Sequence, residues 1–146
     1  MNKVLLRTEE IPMPVYRKEA ERFLLRVLEV LDFSNWELSV LFCTNRYIKT
    51  LNVQYRDKDE PTDVLSFPLG AVTPDGRYLA GDIVVSMDAL EENAEYFKIP
   101  MEEELRRLLV HGILHLSGYD HTTNKAGEPM LKLQEKILTR LAENVQ

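Results

Sequence analysis

The sequence predicts an α+β fold, a single domain with a mixed sheet of about four strands and about five helices. Three observations predict it. Strand-like and helix-like runs follow one another to residue 86 in the order strand, helix, strand, helix, strand, strand, and three helical runs then close the chain. The 146 residues, 45% of them apolar, are enough for one real core, so residues 1–146 read as one domain. No internal repeat, low-complexity tract or long linker divides the chain.

Taken in order, residues 2–7 form a short first strand. Pro12 and Pro14 punctuate the chain, and Pro14 suits the first turn of a helix. Over 15–31 the apolar positions Ala20, Phe23, Leu24, Val27, Leu28 and Leu31 recur at helical spacing and define a core face. Residues 36–43 alternate, with Trp36, Leu38, Val40 and Phe42 on one side of a strand. Thr44 can cap a helix over about 45–55 that turns Ile48, Leu51 and Tyr55 inward. A polar loop leads into a strand over 63–67 that stops at Pro68. A Pro-Asp-Gly turn at 74–76 precedes a buried strand over 81–86. Helices follow at about 88–97, 100–117 and 127–144. Pro100 and Glu102, Glu103 and Glu104 open the second of these in keeping with the helix dipole, and Gly118 ends it.

Bulk properties narrow the function classes. No apolar run approaches the roughly 18 residues of a bilayer span, and charge comes too early in the N-terminus for a secretory signal. A cytoplasmic protein is expected, with no membrane partner. The one cysteine, Cys43, cannot form an internal disulfide or a cysteine-based zinc site, and reads as a small core residue. The net charge of −6 argues against broad attraction to nucleic acid but leaves room for a local basic groove.

All three histidines fall within His111-Gly112-Ile113-Leu114-His115-Leu116-Ser117-Gly118-Tyr119-Asp120-His121. His111 and His115, four apart on a helix, project from one face roughly 5–6 Å apart. Gly118 breaks the helix, so the chain can fold back and deliver His121. Three imidazoles leave one tetrahedral position for water, the arrangement of a catalytic zinc; a structural zinc is the alternative. The spacing resembles the zincin-like helix of metzincin proteases, His-Glu-x-x-His-x-x-Gly-x-x-His. Gly112, however, stands where those enzymes carry the glutamate that acts as general base, which argues against a protease of that type.

A second constellation is the charged loop that runs into an apolar strand: Tyr55, Arg56, Asp57, Lys58, Asp59, Glu60, Pro61, Thr62, Asp63 and then Val64-Leu65-Ser66-Phe67-Pro68. From its neighbours alone, Arg56 reads as a surface arginine paired with Asp57, Asp59 or Glu60. The other reading is a planar fork offered to a phosphate.

Together, the histidine segment, the run from Leu51-Asn52 through Tyr55-Arg56-x-Lys58-Asp59 to Pro68, and Gly81-Asp82-Ile83 resemble the bacterial YbeY family over roughly residues 36–140. The resemblance implies a single-strand-specific endoribonuclease of ribosomal RNA maturation, acting at the 3′ end of the small-subunit 16S rRNA and in late ribosome quality control. It implies one zinc per chain on His111, His115 and His121, with water as fourth ligand. His111 and Arg56 would be catalytic, and single-stranded RNA and the small ribosomal subunit would be partners.

Within that expectation the nucleophile is either water or the RNA 2′-OH, and Arg56 would stabilise charge on the phosphorus-bound oxygens. Asp120 and Asp82, with Asp63, are the candidates to orient an imidazole from behind. RNA contacts are expected from Arg46, Lys49, Arg56 and Lys58, or from Arg17, Lys18, Arg22 and Arg26 on the first helix. A metalloprotease-like hydrolase and a non-catalytic ribosome-assembly factor with a structural zinc are the rival readings. Neither the general base nor the oligomeric state is legible.

Overall fold

The computed structural model describes residues 1–119 and 128–143, apart from the side chain of Glu143. Its elements are β1 (Lys3–Thr8), α1 (Arg17–Val30), β2 (Trp36–Cys43), α2 (Asn45–Arg56), β3 (Val64–Val72), β4 (Tyr78–Ser86), α3 (Met87–Phe97), α4 (Met101–Leu116) and α5 (Pro129–Glu143). This is the expected α+β architecture. Among the described residues, no helix is long and apolar enough to cross a membrane.

The four strands lie in the order β1-β2-β4-β3. β1 pairs parallel with β2, and β2 pairs parallel with β4. β3 and β4 form an antiparallel pair, which leaves β3 at an edge. Because side chains alternate across a strand, the sheet serves two cores. Leu38, Val40, Phe42, Ile83 and Val85 join Leu24, Val27 and Leu28 of α1, Leu109 and Ile113 of α4 and Met130, Ile137 and Leu141 of α5 in the larger one. Leu41, Cys43, Leu65 and Val84 pack against Ile48 of α2 on the opposite face. α4 and α2 therefore cover opposite faces of the sheet.

Three expectations change. β3 does not stop at Pro68; it runs to Val72, with an irregularity in the pairing between Pro68 and Ala71. An edge strand tolerates proline because one of its sides needs no N–H donor. Opposite it, Gly81 has φ +132°, and a Cβ there would lie 2.1 Å from the Phe67 carbonyl oxygen, so β4 extends three residues further back through a glycine the backbone requires. Tyr55 is exposed, not inward, and sets its ring edge-on to Phe67 of β3.

Two local expectations stand. Thr44 caps α2, its hydroxyl accepting from the Tyr47 N–H. Cys43 is fully buried, and burial pushes its thiol up to about 12, which suits an inert core residue.

Candidate metal centre

α4 is the element that carries the site. Glu102, Glu103 and Glu104 occupy its first turn, where the helix dipole favours carboxylates. At its other end Gly118 has φ +103°, and the Tyr119 N–H returns to the Leu114 carbonyl at 3.0 Å, so glycine ends the helix as expected.

Gly112 sits where α4 meets β4. A Cβ at this position would lie 2.8 Å from Cγ2 of Ile83 and 2.9 Å from its Cδ1. The glycine lets helix and sheet approach closely, and the Ser66 hydroxyl of β3 reaches the Gly112 carbonyl at 3.5 Å. The position that bears a glutamate in the metzincin pattern therefore faces the packed core here. Its chemistry is excluded by packing as well as by residue type.

His111 and His115 emerge on another face of the same helix, both half-buried. Their Nε2 atoms lie 3.1 Å apart, with the rings at 68° to each other. Two nitrogens each about 2.1 Å from one tetrahedral ion stand roughly 3.4 Å apart, so the pair fits a shared zinc. His121 and Asp120 lie outside the described residues. Among the described residues no group of three or more His, Cys, Asp or Glu side chains is placed to hold a metal, so the pair is what the fit rests on.

His111 Nδ1 lies 2.7 Å from Oε1 of Gln134 on α5. Gln134 is a partner that the sequence reading missed. It is buried, and the Gln134 amide nitrogen donates to Glu135 at 3.2 Å. Arg107 of α4 grips both oxygens of Glu135, at 3.0 and 3.1 Å. That guanidinium holds the Glu135 carboxyl below its usual range. Arg107 also approaches Glu104 at 3.5 Å. Burial raises the Glu104 carboxyl, against the lowering effect of Asn93 and Arg107. Asn93 donates to both Glu104 and Asp63, each at 3.1 Å.

The expected orienting carboxylates behave differently. Asp82 pairs in register with Ser39, accepts a hydrogen bond from its hydroxyl, and lies on the sheet face opposite α4. The sheet separates it from the histidines, so Asp82 does not orient them. Asp63 enters the polar network through Asn93, several groups away from His111.

The basic candidates also separate. Arg56 ends α2 on the far face of the sheet; it is exposed, and its side chain has no ion pair or hydrogen bond with a described residue. It is therefore not the paired surface arginine suggested by Asp57, Asp59 and Glu60. Its loop is pinned by Asn52, which is buried and donates to the Glu60 carbonyl at 2.9 Å, while Asp57 closes the helix at φ 56°. Arg56 and the histidines flank β3 from its two faces: Tyr55 touches Phe67 and Gly112 touches Ser66, adjacent residues of that strand.

Arg46 is not a free cation, because Glu10 takes it at 2.6 and 3.3 Å. Lys49 pairs with Asp59 at 3.6 Å, both side chains well exposed. Lys58 is exposed, without a side-chain partner among the described residues. On α1, Arg22 and Arg26 line a groove against α4 together with Glu19 and Glu102, a mixed rather than a basic surface.

Known proteins extend these observations. The endoribonuclease YbeY of Treponema denticola is 48% identical over 134 residues, covering 89% of this chain and 86% of that protein. The endoribonuclease YbeY of Treponema pallidum is 42% identical, covering 96% and 90%. In structure, the chain is similar to TM1509 from Thermotoga maritima, known from a solution structure, with a TM-score of 0.64 and 32% identity over 97% of this chain and 93% of that one. Residues 4–142 match the family described as endoribonuclease YbeY, and with relatives this similar over nearly its whole length the chain belongs to that family.

Proposed function

We propose that the protein is a zinc-dependent endoribonuclease that cuts single-stranded RNA in ribosomal RNA processing, at the 3′ end of 16S rRNA, and serves late ribosome quality control. The observation that carries this reading is the pair of histidine Nε2 atoms converging to 3.1 Å on one helix face. Membership of a family named for endoribonuclease activity supplies the reaction class. The cytoplasm and the small ribosomal subunit are the setting this reading requires.

His111, His115 and His121 would hold the ion, which would lend Lewis acidity toward a phosphoryl oxygen or water. Arg56 offers a planar guanidinium with several donors, suited to the extra charge on phosphoryl oxygens as the bond to the leaving oxygen breaks. Lys58 on the loop, and Lys49 on α2 with its weak exposed partner, add positive charge for the RNA backbone.

The protease alternative is disfavoured by Gly112, where the core leaves no room for a glutamate. Metal analysis combined with cleavage of a single-stranded RNA tests the proposal. Wild type should hold one zinc and cut, and His111→Ala should lose both. A His111→Ala protein that still cuts at the wild-type rate would sink it. A 2′,3′-cyclic phosphate on the upstream fragment identifies the 2′-OH as nucleophile, and a 3′-OH upstream with a 5′-phosphate on the downstream fragment identifies water.

A further inference from the structure

On α5 the buried positions Met130, Gln134, Ile137 and Leu141 fall at helical spacing, so one polar residue sits inside an otherwise apolar stripe facing the core. A buried amide at such a position must be satisfied, and Gln134 is satisfied in one direction only. Its nitrogen donates to Glu135, a carboxylate that can only accept and that Arg107 fixes through two N–H contacts. The amide oxygen is thereby left facing the His111 ring at 2.7 Å. An amide oxygen cannot donate, so His111 Nδ1 must.

We propose that Gln134 is the positioning residue of His111, fixing its Nδ1–H tautomer so that an unprotonated Nε2 points at His115. The choice of tautomer belongs to the protein alone. Its consequence for metal binding rests on the zinc reading above, since an imidazole can ligate only through a nitrogen that carries no proton. A neutral amide sets the tautomer without placing a charge against the ligand, whereas a carboxylate there would make the imidazole more basic. The 3.1 Å contact between the two Nε2 atoms fits this assignment: with His111 Nε2 as acceptor, His115 Nε2–H is the donor, and that proton must leave before both nitrogens can face one ion.

The test compares wild type with Gln134→Leu, which has similar volume but no acceptor, and with Gln134→Glu, which keeps one. Imidazole nitrogen–proton NMR correlations on metal-free protein at about pH 8, where imidazoles are neutral, should show His111 as Nδ1–H in wild type and Gln134→Glu. Gln134→Leu should show a mixture or the Nε2–H form. Zinc titration against a chromophoric chelator should show affinity down about 10–100-fold in Gln134→Leu, with recovery in Gln134→Glu.

An Nε2–H His111 in the wild type overturns the proposal, and this measurement needs no variant to fold. Unchanged tautomer and zinc affinity in a folded Gln134→Leu overturn it too. An Nδ1–H wild type that binds no zinc supports the positioning role and counts against the zinc reading instead.

Discussion

On the α4 side of β3, His111 is held from behind by a buried glutamine, and the glycine beside it touches the sheet. On the α2 side, Arg56 stands in solvent on a loop pinned by one buried asparagine. The two faces meet at neighbouring residues of one strand, yet only the first half-buries its candidate side chains and backs one of them with a buried partner. The difference follows from the ligands each would take. A small ion demands fixed donor positions and excludes water from its supports. A flexible single strand demands accessible charge and little preorganised packing.

Gly112→Glu strikes the buried side hardest. The added Cβ alone enters the space of Ile83, and the carboxylate beyond it would have no partner in the larger core. A loss of more than about 4 kcal/mol is expected, enough to unfold a marginal domain. Gly112→Ala is milder, since overpacking of about 1–3 kcal/mol is offset by up to about 1 kcal/mol of helix propensity. Denaturant unfolding measures both. A stable Gly112→Glu would show that packing is not what keeps a glutamate out.

Arg56→Ala should do the reverse, leaving stability and zinc content as they are while lowering cleavage of single-stranded RNA about 100–1000-fold. Arg56→Lys should recover only part of the rate, because the ammonium lacks the planar fork. Loss of zinc in Arg56→Ala would mean that the arginine is structural after all.

Asn52→Ala lies between the two. It removes the donor to the Glu60 carbonyl and loosens the loop that carries Arg56. A destabilisation of about 1–3 kcal/mol is expected, with a drop in kcat/KM for RNA smaller than that of Arg56→Ala. Equal losses in the two variants would show that the loop, not the guanidinium, supplies the effect.

Most of the fold was legible because its signals are local. The alternation of Trp36, Leu38, Val40 and Phe42, the Thr44 cap and the stop at Gly118 each depend on a few neighbouring residues. Pro68 misled because whether a proline can lie inside a strand depends on that strand being at the edge of the sheet, a property of the sheet order. At the candidate site, the histidine pair was legible from its spacing on one helix. Asp82 misled because its neighbour in sequence, Ile83, faces α4, so the pleat sends Asp82 to the other side. Gln134 did leave a trace, as a polar residue at a core position of the last helix. Naming its partner required the packing of α5 on α4, 23 residues away along the chain.

The smallest effect tests the exposed side for false candidates. Arg46 was expected to contact RNA, but Glu10 already occupies its guanidinium, and the Arg46 side chain is otherwise 82% exposed. Arg46, with help from the Thr44 hydroxyl, holds the Glu10 carboxyl below its usual range. Because that folded-state value is lowered, whatever the pair adds is present at neutral pH and fades as acid protonates Glu10. Arg46→Met should therefore change stability little, because water screens an exposed pair, and leave the salt dependence of RNA binding unaltered. Lys58→Met, which removes a cation on the Arg56 loop that has no side-chain partner among the described residues, should reduce the salt slope by about 1. Equal slopes for the two variants would mean that the Glu10 pair opens to admit RNA, and the basic strip would then begin at the first turn of α2.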